Sequence, residues 1–213
     1  MDQNNFKYDD LVKKLKSLLS LSKNTKKRVF IGINGAPASG KSTVSLKLKI
    51  DLESPQIKPD ILQMDGFHFD DEILKKKNLL IKKGSPETFD SLGLINFMKR
   101  LNNEENVAVP IFDRSLELSR SSAYIINSDI NLIIVEGNYL LLKKEPWAKL
   151  RNFFDYTISI KCSLKALEKR LIDRWKSFDI DDEIINKKVF ENDLPNGQFV
   201  VDNSSEPNFY LLN

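Results

Sequence analysis

One histidine, His68, and one cysteine, Cys162, stand in a chain of 213 residues, and that scarcity removes several chemistries at once. A multi-histidine or cysteine-rich metal site, a CxxC redox pair and an internal disulfide are all out of reach. Any Ser-His-Asp arrangement would rest on His68 alone. No stretch approaches the roughly 18 apolar residues of a membrane span, and the opening MDQNNFKYDD lacks the basic-then-apolar order of a signal peptide. A reducing, cytoplasmic setting without membrane attachment is therefore expected. Charge of one sign is missing too: 33 basic residues face 30 acidic ones, a net +3, scattered rather than gathered into an arm. No nucleic-acid partner is expected on that balance.

What is present suffices for one sizeable domain with additions, at roughly 150 residues per domain. A chain with 41% hydrophobic residues and this length buries roughly 70% of the surface its unfolded form exposes. Leu11, Leu15, Leu18 and Leu19 fall at helical spacing between Tyr8 and Ser22, followed by the polar break SKNTKK. Residues 1–27 thus read as an amphipathic helix and linker ahead of a main domain over 28–213.

Within that domain, RVFIGIN (28–34) is a short apolar run rich in β-branched residues that stops at a glycine, the pattern of a buried strand meeting a turn. Behind it stands Gly35-Ala36-Pro37-Ala38-Ser39-Gly40-Lys41-Ser42-Thr43, in which GxxxxGK[ST] is complete. A helix over Lys41–Leu52 follows, so the motif sits between strand and helix as its mechanism requires. Its glycines let backbone N–H groups converge on phosphate oxygens at a helix N-terminus. Lys41 then reaches the β- and γ-phosphates, and the Ser42 hydroxyl ligates Mg²⁺. No NKxD or LSGGQ-like motif accompanies it, which argues against GTPase and ABC-type readings.

Further strand-like runs lie at 60–65, 106–112, 131–137 and 156–162, with helical patterns near 89–102, 147–154, 163–177 and 180–190. This alternation, with two-sided apolar strands such as LIIV, predicts an α/β fold: the P-loop NTPase three-layer sandwich, a mainly parallel sheet with helices on both faces. Ligands in such folds sit at the carboxyl ends of strands. Asp65 and Glu136 each close a run there, the first placed to accept a proton from an attacking hydroxyl, the second placed as a Walker B acid would be. Arg170 and Arg174, four apart on one helix face, can converge on a single polyanion, and they place a small lid within 163–190. Only seven of the 33 cations are Arg, so Arg114 and Arg120 also stand out as bidentate anion binders.

Taken in order, the phosphate loop, MDGFHFD (64–70), KGSPETFD (83–90), VPIFDRSLELSR (109–120), IIVEGNYLLL (133–142) and ENDLPNG (191–197) resemble the uridine kinase, phosphoribulokinase and bacterial pantothenate kinase superfamily. The resemblance runs from residue 28 to 203. It is strongest to the branch of nucleoside/nucleotide kinase or fructose transport system kinase proteins. It implies that Asp65 is the catalytic base, that Glu136 lies beside Mg²⁺, and that Arg170 and Arg174 close over the phosphates. It also implies that Asp90 binds acceptor hydroxyls, although an N-cap role suits the same residue. VPIFDRSLE resembles the acceptor-lining PxYDxxxH of uridine kinases, with Phe112 in place of tyrosine and without the histidine. His68 lies in the same loop as Asp65, where it either contacts the acceptor or is a hydrogen-bonded loop histidine. ENDLPNG reads as a loop after the 180–190 helix, and the resemblance puts Asn192, Pro195 and Asn196 near adenine.

The expectation is an ATP- and Mg²⁺-dependent kinase that phosphorylates a hydroxyl of a small acceptor of nucleoside, pantothenate, glycerate or sugar type, as a monomer or homodimer. The two candidate acceptor-site arginines favour an acid-bearing acceptor. The alternative is a nucleotide-binding regulator or slow ATP hydrolase with no small-molecule acceptor.

Overall fold

The computed structural model describes residues 4–21, 28–178 and 180–213. The polar break at 22–27 lies outside the described residues. Among the described residues, eight strands form two sheets. β1 (Asn5–Phe6), β2 (Val29–Asn34), β3 (Pro59–Gln63), β6 (Leu132–Gly137), β7 (Tyr156–Lys161) and β8 (Phe209–Leu212) make a six-stranded sheet in the order β1-β8-β7-β2-β6-β3, parallel throughout. The strands β4 (Val107–Asp113) and β5 (Leu118–Ile126) form a separate antiparallel hairpin.

β2 and β6 lie at the centre, and every residue of both is buried. Their side chains alternate between two cores, which is why their sequences read as continuous apolar runs. Phe30, Ile133 and Val135 join Leu62, Met64, Leu140 and Trp147 on one face, beside α4 (Ser91–Asn103). Val29, Ile31, Ile33, Leu132 and Ile134 face the other way, toward Val44 and Leu48 of α2 (Lys41–Leu52). Leu11 and Leu15 of α1 (Tyr8–Leu21) are fully buried in that second core. The first helix is thus built into the same core as the phosphate-loop helix.

The run at 106–112 does not join the main sheet as expected; it pairs only with β5. Pro110 supplies a physical reason, because it offers no N–H to a ladder, and the pairing register shifts between Val109 and Ile111. β5 escaped the sequence reading because its nine residues are mostly exposed and polar. The hairpin is fastened beneath the turn after β3. A Cβ at Gly66 would stand 2.8 Å from the Pro110 carbonyl oxygen, so only glycine allows that approach. Ser119 and Tyr124 donate hydroxyl hydrogen bonds to the Gly66 and Ile61 carbonyls.

The helices expected at 41–52, 89–102 and 163–177 are α2, α4 and, past the short α3 (Asp71–Lys76), α5 (Leu164–Lys176); 147–153 is a 3-10 helix. Beyond α5, the expected loop at 191–197 is helical: a π-helical turn over Lys187–Asp193 joins α6 (Asp182–Asn186) to α7 (Leu194–Asn203). Pro195 lies near the start of α7, within a run that stays helical through the π-turn, and lacking an N–H it forgoes one main-chain bond of that run. The same proline that signalled a loop here lies inside a helical run.

Arg28, at the foot of β2, is fully buried without a carboxylate partner. All five of its N–H groups donate to main-chain carbonyls: Nε to Ile130 at 3.0 Å, Nη1 to Leu101 and Glu104 at 2.6 and 2.9 Å, Nη2 to Glu105 and Asn127 at 2.6 and 2.9 Å. It therefore serves the free carbonyls at the end of α4 and ties both turns flanking the hairpin to the central strand. Replacing it by Met leaves several buried carbonyls without donors. Arg28→Met is expected to cost about 3 kcal/mol or more, a fall of roughly 6–12 °C in Tm for a domain of this size. Calorimetry of the variant checks this, and an unchanged Tm would refute the clamp.

Candidate active site

The phosphate loop turns out of β2 through two left-handed residues, Ala38 at φ 58° and Gly40 at φ 95°. Gly40 then opens α2 with no side-chain cap. The first amides of the helix and the loop amides are thus offered to an anion. Lys41 is 8% exposed and donates from Nζ to the Ala36 carbonyl at 2.9 Å. Ser42 donates from Oγ to Glu136 Oε1 at 3.0 Å. That contact follows from strand register: Ile33 pairs with Glu136 and Asn34 with Gly137, so the carboxylate stands level with the start of the loop.

Charge is buried here ahead of any ligand. Burial pushes the Glu136 carboxyl up, helped by Asp65 and opposed by Lys41 and Ser42. Burial pulls the Lys41 amine down, opposed by Glu136 and Asp65. Such a site favours the arrival of phosphate and cation together, because each supplies the counter-charge that the other's protein partner lacks.

Two cavities open from this point. The first, about 820 Å³, is lined by Lys41, Ser42, Thr43, Glu136, Arg170 and Arg174 among others. The second, about 460 Å³, is lined by His68, Phe89, Phe112, Lys83, Glu117 and Trp175 among others. Asp65, Arg114 and Arg174 line both. Asp65, in the 3-10 turn that follows β3, accepts at Oδ2 from Arg114 Nη2 at 2.8 Å, an ion pair that bridges sheet and hairpin. Arg170 lies over the phosphate loop, Nη1 at 3.4 Å from the Ser39 carbonyl, while Arg174, one turn on, stands against Trp175.

His68 stacks on Phe89 with ring centroids 3.8 Å apart and lies 5.1 Å from Phe112. Burial, the largest cause, pulls its imidazole pKa down to about 4 against the pull of Asp65, so the ring is neutral at pH 7.

Asp90, Arg120 and the 191–197 segment stand apart from the junction of the two cavities. Asp90 is exposed and caps α4, Oδ1 accepting from Gly93 N–H at 2.8 Å, and it lines neither cavity. Arg120 also lines neither; its position on β5 turns it to Asp113, 3.2 Å away, on the hairpin's exposed side. Asn192, Pro195 and Asn196 are on helical turns rather than in a loop, and Gly197, next to Asn196, packs on the phosphate loop: a Cβ there would stand 3.3 Å from Ala36 and 3.7 Å from Pro37. Asn192 lines the second cavity and donates to the Lys83 carbonyl at 2.9 Å, and Asn196 donates to Asn192 at 3.2 Å.

Two residues were missed. Asn213 lines the first cavity and donates from Nδ2 to the Ser39 carbonyl at 2.6 Å; nothing in its sequence surroundings announces this. Glu117 could have been found by counting, since it fills the eighth position of PIFDRSLE, where PxYDxxxH has its histidine.

The sheet order, the loop between β2 and α2, and the paired cavities define the class of the P-loop kinases, ATP-dependent phosphotransferases that act on hydroxyls. The profile of the Phosphoribulokinase / Uridine kinase family matches residues 30–174, and the chain belongs to that family. It is 31% identical to the uncharacterized protein YggC of Escherichia coli (strain K12) over 192 residues, 88% of this chain and 79% of the relative. It is also 31% identical to the pantothenate kinase of Lactococcus lactis subsp. cremoris (strain MG1363) over 153 residues, 70% of this chain. The chain spans about half the length of the pantothenate kinases it matches. Among solved structures, a candidate fructose transport system kinase from Silicibacter sp. TM1040 superposes with a TM-score of 0.90 at 30% identity, covering 96% of this chain and 98% of that one.

The stacked histidine makes stability pH-dependent. The unfolded chain takes up a proton near pH 6.5 that the folded chain refuses until about 4. The stabilisation from neutral His68 is therefore complete above pH 6.5 and drains away as pH falls toward 4, about 3 kcal/mol in all. His68 is the sole histidine, so its ring protons report the titration directly by NMR. A midpoint near 4 is expected, and wild type should lose stability relative to His68→Gln across that window. A midpoint near 6.5 would place the ring in water.

Proposed function

We propose that the protein transfers the γ-phosphoryl group of Mg-ATP to a hydroxyl of a small molecule held in the second cavity. One observation carries this reading: the cavity over the phosphate loop and the aromatic-walled cavity meet at Asp65, Arg114 and Arg174. A donor and an acceptor bound in the two would have their reacting atoms at that junction.

The loop amides and Lys41 hold the β- and γ-phosphates. Ser42 and Glu136 offer a hydroxyl and a carboxylate, the hard oxygen donors that suit Mg²⁺, an ion that binds through few protein groups plus phosphates and water. When bound, the ion neutralises charge that develops on the phosphates. Arg114 fixes Oδ2 of Asp65, which leaves Oδ1 to accept the acceptor's hydroxyl proton. As the acceptor oxygen forms its bond to the γ-phosphorus, the bond from phosphorus to the bridging β,γ-oxygen breaks. ADP leaves, and Asp65 keeps the proton until solvent removes it. Arg170 and Arg174 face the same cavity from α5 and stabilise charge on the transferring group, a contribution worth several kcal/mol in other phosphoryl-transfer enzymes.

ADP release from Mg-ATP is the assay, run against nucleosides, pantothenate, glycerate and hexoses. Asp65→Asn is expected to lower the stimulated turnover by at least about 100-fold, with ATP affinity within about threefold of wild type. Unchanged turnover would remove Asp65 from the mechanism. ATP binding without stimulation by any compound would favour an acceptor-less regulator.

A further inference from the structure

Five residues border both cavities: Pro37, Asp65, Arg114, Asn138 and Arg174. Three of them carry charge and take part in the transfer described above, and the Pro37 side chain has no polar atom to offer. Asn138 is left. It is half-buried, directly past the end of β6 and two residues beyond Glu136. β3 and β6 pair with Gln63 opposite Glu136, so Asp65 and Asn138 each stand two residues past the same level of the sheet. Parallel sheets of this kind hold their ligands at that edge.

The Asn138 carboxamide is uncommitted: among the described residues none forms a hydrogen bond with it. The other asparagines that line the two cavities are spent on structure. Asn213 donates to the Ser39 carbonyl at 2.6 Å, and Asn192 donates to the Lys83 carbonyl at 2.9 Å. Asn138 therefore brings two free N–H donors to the junction.

A phosphoryl group in transfer spreads its charge over three equatorial oxygens, each of which gains from a donor aimed at it. Lys41 already donates to Ala36 at 2.9 Å, and Arg114 is paired with Asp65 at 2.8 Å. Arg174 and Asn138 hold the donors at the junction that no acceptor within the described residues has taken. Charge favours an amide beside these cations. Burial pulls both the Lys41 amine and the Arg174 guanidinium down, and like charges add to it, Arg114 and Arg174 acting on Lys41 and Arg114 acting on Arg174. Another cation would deepen that repulsion, whereas a carboxamide adds donors without charge.

We propose that Asn138 is a catalytic residue whose Nδ2 donates to an equatorial oxygen of the γ-phosphoryl group as that group crosses from the first cavity to the second. This rests on the kinase reading above and adds a neutral donor to the cations that surround the reacting centre. No covalent bond to Asn138 forms or breaks, and it keeps its protons throughout.

The first arm of the test needs no acceptor. Asn138→Asp keeps the side chain's shape and replaces its donors with a carboxylate, and Mg-ADP, which lacks the γ-phosphoryl group, is the control. Titration calorimetry should show Kd for Mg-ATP raised at least about tenfold and Kd for Mg-ADP within about threefold of wild type. The second arm uses Asn138→Ala, which removes the donors without adding charge. With a productive acceptor its kcat should fall at least about tenfold, with KM for the acceptor within about threefold. Equal weakening of both nucleotides by Asn138→Asp, as a merely structural role would give, overturns the proposal. So does an unchanged Kd for both nucleotides, or a wild-type kcat in Asn138→Ala, and each of these leaves the kinase reading intact. ADP release that no compound stimulates, with ATP bound, overturns the kinase reading and the transfer role of Asn138 with it.

Discussion

The register between β2 and β6 is the constraint from which the rest of the site follows. Ile33 lies opposite Glu136 and Asn34 opposite Gly137, so the chain leaves β2 into the phosphate loop at the level where β6 presents its carboxylate. A slip of one residue would turn Glu136 to the other face of the sheet and send the side chains fitted to each core into the other. Because every residue of the two strands is buried, that slip is energetically closed. Ser42 therefore meets Glu136 at hydrogen-bond distance, and Lys41 enters the same buried space.

A protein that buries an amine and a carboxylate in this way spends stability on a binding site. Each group is pushed toward its neutral form by loss of water. The cost is recovered when anion and cation arrive, which is how such a site favours a charged complex over either ion alone. The hairpin of β4 and β5 works by the opposite principle. Its β5 strand is largely exposed, while Val107, Val109 and Ile126 are buried in the core, and Gly66, Ser119, Tyr124 and the Arg114–Asp65 pair hold it to the sheet. Phe112, Arg114 and Glu117, which line the second cavity, sit near the tip of that hairpin, beyond the residues it buries in the core.

The legible part of this site was the local part. Gly35 to Thr43 is one contiguous loop whose spacing encodes its own geometry, and Asp65 and Glu136 were found because strand ends can be read from apolar runs. Asp90 was legible as an N-cap, and the structure shows that cap, a bond made within four residues. Misreadings came where a local signal had two meanings. Pro195 marks a loop or a first helical turn, and the tertiary packing of α7 chose the helix.

Sequence by itself determined the α/β class, the phosphate loop, the buried strands and three charged groups that line both cavities, Asp65, Arg114 and Arg174. These are written in periods of two and 3.6 residues and in short motifs, which depend on neighbours along the chain. Only the tertiary structure decided that β4 leaves the parallel sheet, that β8 brings Asn213 to Ser39, that Arg28 clamps five distant carbonyls, and that His68 and Glu117 share one cavity. Those outcomes join residues up to 174 positions apart, and contacts at that range are chosen by which packing satisfies all the buried groups together, a condition no local pattern contains.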